Sequence, residues 1–273
     1  MNILPIVVLY NSNIKDSSAI TFLLNSNFFK KIFVYDNTPS HSQDVNTLDP
    51  RVEYIHDPSN PGVSKAYNVG GEYAIANSFD WLLILDQDTV LTSDLINSYI
   101  SAHKNDSNIK LFAPYLKTMK GSPCSPCRIF FKRGFPLSKV QGSRRLSLKK
   151  YAPINSGILI NTELFHSVSG YNEKVFLDFS DFQFIERLSE KIDYFFLLDY
   201  TLEQDFSNDS DDLSKLLKRF SLYCQCARAC HRYSLLDSFQ YLVTVFVRML
   251  SLILRTKSFS FFKCFKENYW RMK

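Results

Sequence analysis

The stretch WLLILDQDTVL, residues 81–91, carries an apolar run straight into Asp86 and Asp88, with one glutamine between them. A short, nearly continuous apolar run bounded by polar residues reads as a strand buried on both faces, as in a sheet covered by helices. On extended chain, residues two apart point the same way, so the two carboxylates lie a few ångströms apart at the strand's end. Like charges at that separation repel and call for a cation. Mg2+ or Mn2+ prefers oxygen ligands, keeps several waters and is commonly shared between one or two carboxylates and a substrate's phosphates.

Working outward, ILPIVVLYN (3–11), KIFVYDN (31–37) and RVEYIHD (51–57) read as three further strands, with about fifteen helix-like residues after the first. NPGVSKAYNVGGEYAIANSFD (60–80) suits a helix with Gly62 at its mouth. This alternation predicts a mostly parallel α/β sheet, in which ligands gather at the carboxyl ends of strands. Asn11, Asp36, Asp57 and Asp86 all fall at such ends and outline the rim of a site.

Downstream, residues 115–150 carry GSPCSPC and RGFPLSK without clean periodicity and read as a long loop or hairpin excursion. YAPINSGILIN (151–161) resumes strand character. A short helix and turn follow in TELFHSVSGYNEKVF, then a helix in SDFQFIERLSEKI and two short strands in DYFFLLDYTLEQDFS. Residues 211–273 hold neither Gly nor Pro and are expected to be helical. Within them SFQYLVTVFVRMLSLIL is interrupted by Arg248 and flanked by cations, which suits a helix lying in a membrane interface or packed on a partner better than one crossing a bilayer; a helix packed on the main domain is the alternative.

Charge is unevenly spread. The net charge is only +5, yet eleven Lys and Arg residues and no acidic one lie between Asp106 and Glu163. From Lys215 onward twelve cationic residues face only Asp237 and Glu267. Both segments should seek anions. The opening residues lack the basic region and cleavage site of a secretory signal, so an intracellular chain with free thiols is expected of its six cysteines. Cys124 and Cys127 could hold zinc only by meeting the group Cys224, Cys226, Cys230 and His231; otherwise these are small core residues.

The ordered set VVLYN, VYDN, NPGVSKAYNVG and DWLLILDQDT resembles family 2 glycosyltransferases, in particular their bacterial rhamnosyltransferase-like branch. NSGILINTELFHSVSGYNEKVFLDFSDFQFIERL resembles the acceptor-side region of the same family. The resemblance covers roughly residues 3–206. It implies a GT-A type α/β fold, with a mostly parallel Rossmann-like central sheet flanked by helices over residues 1–208. A basic, helical C-terminal extension, residues 209–273, would follow.

By position, Tyr10, Asn11 and Asp36 match residues that hold the base and ribose, and Asp57 and Lys65 fall where further nucleotide contacts are expected. Asp86 and Asp88 match the metal-binding pair for Mg2+ or Mn2+, Asp88 as the more direct ligand and Asp86 nearer the ribose or donor sugar. Asp181 matches the catalytic base, and Arg187 a residue associated with it. The chain departs from the pattern twice. Where relatives carry an acidic pair at the base position, Ser180 precedes Asp181 and the other carboxylate, Asp178, stands three residues back, which leaves either acid as base. Where relatives have a metal-reaching histidine, Gln204 and Asp205 stand, so either Asp205 substitutes or the contact is missing.

The activity so implied is inverting, metal-dependent transfer of a sugar, rhamnose from dTDP-rhamnose or a hexose from a UDP-sugar. The acceptor would be a lipid-pyrophosphate-linked oligosaccharide in O-antigen or capsule synthesis. The expected location is the inner face of the plasma membrane, against an anionic surface, with no nucleic acid partner. Two alternatives use the same residues: a haloacid-dehalogenase-type phosphatase with Asp86 and Asp88 as its acid pair, and a non-catalytic nucleotide-binding scaffold. A retaining glycosidase fits poorly, because two acids on one strand end do not flank a sugar.

Overall fold

Both faces of the central strands are covered, which is why their sequences show no alternation. In β1 (Ile3–Leu9) and β4 (Trp81–Asp86), Leu4, Ile6, Leu82 and Ile84 join one apolar cluster, while Ile3, Val7, Leu83 and Leu85 join another on the opposite side. Each such side chain removed from water contributes roughly 1.5–3 kcal/mol. Helices α2 (Val63–Ala76), α4 (Thr162–Ser167) and α5 (Ser180–Leu188) close the first cluster; α1 (Ser18–Asn25) and α3 (Ser93–Asn105) close the second. The computed structural model describes residues 1–40, 48–138, 142–204 and 212–270.

The remaining sheet strands are β2 (Ile32–Asp36), β3 (Val52–His56), β5 (Leu111–Thr118), β6 (Pro123–Ser125), β9 (Arg144–Ser147), β11 (Ile158–Asn161) and β12 (Tyr194–Gln204). Their order is β3-β2-β1-β4-β11-β5-β12-β9, with β6 paired to β5. Strands β1 to β4 pair in parallel, whereas β11 runs antiparallel to both β4 and β5, setting Ile158 beside Ile84. Strand β12 runs parallel to β5. The start of β11 therefore lies at the same sheet edge as the ends of β1, β4, β5 and β12. That edge carries the candidate site.

Three local expectations are refined. Helix α1 has eight residues, because the Ser17 hydroxyl oxygen caps it by accepting from the Ile20 amide and the chain turns extended at Ser26. The described part of residues 115–150 contains a hairpin excursion: β7 (Cys127–Phe130) and β8 (Arg133–Pro136) form a second sheet with β10 (Tyr151–Ala152). The two short strands expected after residue 193 are one strand, β12, with a register shift between Leu197 and Thr201.

The tail is helical, as α6 (Leu213–Ala229), α7 (Leu235–Thr256) and α8 (Ser260–Phe265). These enclose a third cluster around Phe220, Cys224, Tyr241, Val245 and Phe261, into which Val175 and Phe179 insert from the sheet-bearing part. Lys132 ties the parts together, 2.5 Å from Glu186 of α5 and 2.9 Å from Asp237 of α7. Arg145 likewise lies 2.5 Å from Asp106, so part of the basic excursion is neutralised within the chain. All six cysteines are free. No cluster of three metal-ligating side chains occurs among the described residues, and the two cysteine groups belong to different apolar surroundings.

Candidate active site

A cleft of about 640 Å3 opens at this sheet edge, lined among others by Tyr10, Gly62, Asp86, Asp88, Asn155, Asp181 and Gln204. Such a volume suits a small-molecule ligand with a few convergent polar groups. Asp86 ends β4 beside Val8 of β1. Its carboxylate accepts from the Ser156 hydroxyl, from Gln204 Nε2 at 2.7 Å and from the Tyr67 hydroxyl at 3.3 Å. Gln204 Nε2 also reaches Asp88 Oδ1 at 3.4 Å, so one amide spans the carboxylate pair. Gln204 Oε1 is buried without a hydrogen-bond partner. The two carboxylates suit a hard divalent cation completed by water and phosphate, and the Gln204 amide that faces them with Nε2 carries its unpartnered oxygen alongside. Asp205 lies outside the described residues.

Asp181 faces this pair from the first turn of α5. Its Oδ1 accepts from Asn155 Nδ2 and from the Ser180 hydroxyl, each at 2.9 Å. Burial pushes its carboxyl up to about 6; the Ser180 hydrogen bond opposes the rise, and the negative charge of Asp86 adds to it. A carboxyl so poised is mostly ionised at neutral pH yet basic enough to take a proton. Asp178, the other carboxylate nearby, is gripped by both guanidinium nitrogens of Arg219 from α6. Burial raises its pKa and the Arg219 charge opposes the rise. An acid held in an ion pair is a poor proton acceptor, so the geometry favours Asp181 as base.

The segment before Asp181 is clamped from two sides. Phe179 has a left-handed φ of 68°, with its ring 4.7 Å from Tyr223 of α6 and 5.7 Å from Tyr241 of α7. Gly62 lies beneath the same segment at φ 95°, where a Cβ would stand 2.3 Å from the Phe176 carbonyl oxygen. The amide of Val63 donates to that oxygen at 3.1 Å. Only glycine allows helix α2 to start this close to the segment that carries Asp181.

Of the other residues expected at the site, one lines the cleft and the rest make contacts behind it. Tyr10 lines the cleft, half exposed, but Asn11, Asp36, Asp57 and Lys65 do not. Asp36 is fully buried, accepting from the Thr38 amide at 2.9 Å and the Tyr54 hydroxyl at 2.7 Å. The next residue, Asn37, lines the cleft instead, its Oδ1 buried and unpartnered. Hydrogen bonds from Ser59 and Tyr35 hold the Asp57 carboxyl below the usual range. Lys65 pairs with Glu173 at 3.5 Å. Arg187 donates to the carbonyl oxygens of Val168 and Gly170 and is absent from the cleft lining.

The sequence model of Glycosyl transferase family 2 matches residues 28–168, just over half of the chain. The chain belongs to glycosyl transferase family 2. That membership decides against the phosphatase reading, which also left the three strands before β4 unexplained. This family 2 chain is 26% identical over 182 residues to the dTDP-rhamnosyl transferase RfbF of Shigella flexneri; the match covers 66% of the chain and 60% of the relative. It thus spans less than two thirds of that relative's length.

Among solved structures it resembles S. aureus TarS 1-349 in complex with UDP-GlcNAc, with a TM-score of 0.57, 15% identity and coverage of 84% of this chain and 66% of that one. It also resembles the mannosyltransferase PcManGT from Pyrobaculum calidifontis in complex with GDP-Man and Mn2+. There the TM-score is 0.54 and the identity 11%, over 95% of this chain and 77% of that one. At such identities the likeness concerns the fold, and the fold is GT-A.

Proposed function

We propose that this chain transfers a sugar from a nucleotide-sugar donor with inversion at the anomeric carbon. The observation that carries the reading is the placement of Asp181 in one cleft with Asp86 and Asp88, although it comes from a distant part of the chain. Asp88 and Asp86, with Gln204 alongside, are the residues that would hold Mg2+ or Mn2+. A divalent cation there supplies charge to offset a departing diphosphate. Asp181 takes the proton of the attacking hydroxyl, and Asn155 and Ser180 fix its orientation through Oδ1, leaving Oδ2 for that proton. Tyr10, Asn37 and Asn60 line the part of the cleft assigned here to the nucleotide. Asp36 and Asp57 act there through the strand end and turn that they order, and Lys65 through its pair with Glu173.

Rhamnose from dTDP-rhamnose is the favoured donor, because the curated relative is named for that reaction. The TarS and PcManGT complexes with UDP-GlcNAc and GDP-Man support a nucleotide sugar in general. The proposed acceptor is a lipid-pyrophosphate-linked oligosaccharide, met at the inner face of a bacterial plasma membrane during surface-polysaccharide synthesis. What supports the membrane part is α7. One face buries Tyr241, Val245, Met249 and Leu252, while Leu236, Phe239, Val247, Leu250 and Leu254 stand exposed on the other. An exposed apolar stripe beside Lys257, Lys263 and Lys266 suits an interfacial helix on anionic lipid. In this reading residues 1–208 form the catalytic domain and residues 209–273 an extension that seats it on the membrane.

The test is a panel of nucleotide sugars incubated with purified protein, Mn2+ and a lipid-pyrophosphate-linked oligosaccharide acceptor, scored by release of nucleoside diphosphate and by sugar on the acceptor. One donor, dTDP-rhamnose first among them, should be consumed in a metal-dependent way and spared by Asp181→Asn. Consumption of none, together with nucleotide binding, would favour the non-catalytic scaffold.

A further inference from the structure

A second cavity, of about 820 Å3, lies between α5 and the C-terminal helices. Lys174, Gln183, Arg187, Arg228, His231 and Arg232 line it, and no Asp or Glu does among the described residues. Glu186 and Glu190 lie near Arg187 and Tyr233 but outside the lining. At about 100° per residue, Gln183 and Arg187 share one side of α5 and Asp181 occupies the other. The cavity is therefore separate from the candidate active site.

Two buried donors in it have no acceptor. The Asn172 side chain is oriented by bonds at both ends, its Oδ1 accepting from the Lys174 amide at 3.2 Å and its Nδ2 donating to the Ala229 carbonyl oxygen at 3.2 Å. The same Nδ2 donates to Gln183 Oε1 at 2.7 Å, which assigns the oxygen of the Gln183 amide to Asn172 and leaves its nitrogen as the end without a partner. Gln183 is only 2% exposed, and its Nε2 has no partner. Arg187 Nε is likewise buried and unpartnered. Arg187 and Arg232 give their hydrogen bonds to backbone carbonyls, and Glu190 acts on Arg187 through its charge without a hydrogen bond. A buried donor without an acceptor costs roughly 1–3 kcal/mol, and an anion in the cavity would satisfy both donors and the charge at once.

The rim is apolar. Tyr233 lines the cavity, and next to it Leu235, Leu236 and Phe239 at the start of α7 are exposed, Leu235 by 91%. We infer that this cavity binds the phosphate or diphosphate group of an amphiphile, whose apolar part lies against the start of α7. Two sources share that chemistry: a phospholipid headgroup, and the diphosphate of a polyprenyl-linked sugar. The anion site itself does not rest on the transfer reading.

The test uses the full chain in chelator, so that metal-dependent binding at Asp86 and Asp88 is silent, with inorganic pyrophosphate as probe in calorimetry. Lys174 and His231 are exposed, so K174E/H231E should fold; Q183L removes one buried donor at near-constant volume. Binding weakened at least tenfold in both variants supports the site. No binding by wild type, or equal binding in all three proteins, overturns it. Vesicle flotation then names the source. Preference for phosphatidic acid over phosphatidylserine at matched charge, lost in K174E/H231E, assigns the headgroup. Preference for polyprenyl diphosphate over phosphatidic acid, lost likewise, assigns the acceptor. Equal flotation of wild type and variant on every composition contradicts the amphiphile.

Discussion

Asn155 and Ser156 are adjacent in the chain, yet each holds a different carboxylate of the cleft: Asn155 donates to Asp181 and Ser156 to Asp86. The antiparallel entry of β11 brings this pair to the end of β4, so two residues couple the proposed base to the proposed metal and donor side. The Tyr171 hydroxyl, donating to Asn155 Oδ1 at 2.6 Å, completes the link.

Separating the two bonds should separate the kinetic constants. Asn155→Ala leaves Asp181 with one side-chain donor and Tyr171 without its acceptor. It should lower kcat and reduce stability by roughly 1–3 kcal/mol. Ser156→Ala should instead raise the KM for the nucleotide sugar. Steady-state kinetics of both variants check this, and identical profiles would contradict the division of roles.

The raised pKa of Asp181 carries a signed consequence. Between its ordinary value of 3.8 and about 6 the folded protein keeps a proton that the unfolded chain has lost, so stability falls as pH rises through that window. Asp181→Asn removes the buried charge while keeping an acceptor for Asn155 and Ser180. The variant should be more stable at pH 7.5 by roughly 2 kcal/mol, a Tm gain of about 4 °C, and no more stable at pH 4. Turnover should fall by about a hundredfold or more. Wild-type kcat/KM should rise with pH through about 6. Melting curves at the two pH values and a pH-rate profile measure both.

Asp178 and Asp181 should respond differently. Asp178→Asn is expected to keep most turnover, because its partner Arg219 is part of the wall and not of the proton path. Arg219→Met strands the Asp178 carboxylate and should cost roughly 1.5–3 kcal/mol. Loss of turnover in Asp178→Asn equal to that in Asp181→Asn would reassign the base.

Gly62→Ala meets two obstacles, a left-handed φ and the Phe176 carbonyl oxygen. The backbone alone costs roughly 1–2 kcal/mol. The start of α2 must also shift from the cleft, so nucleotide affinity should drop together with Tm. A variant of wild-type affinity would show that this helix start does not shape the donor site.

Much of this was legible in the chain. Apolar runs without alternation announced a covered sheet, and WLLILD running into Asp86 and Asp88 announced the edge at which the candidate cleft opens. Asp36 shows the limit of such reading: it ends a strand as expected, but its carboxylate turns inward to Tyr54 and Thr38, and the next residue, Asn37, reaches the cleft. Neighbouring residues on extended chain face opposite ways, so sequence alone cannot say which of the pair is presented. Asn155 and Ser156 were visible only as part of NSGILIN, since their partners lie 26 and 70 residues away. The ion pair that withdraws Asp178 depends on α6 folding back, which no local pattern encodes.

The most direct test of the account is the thermal stability of the wild-type protein and Asp88→Ala with dTDP or UDP, each with and without Mn2+. The account predicts a Tm rise that needs metal and nucleotide together and vanishes in Asp88→Ala. A rise of equal size without metal, or one that survives in Asp88→Ala, would contradict the role given to the two aspartates.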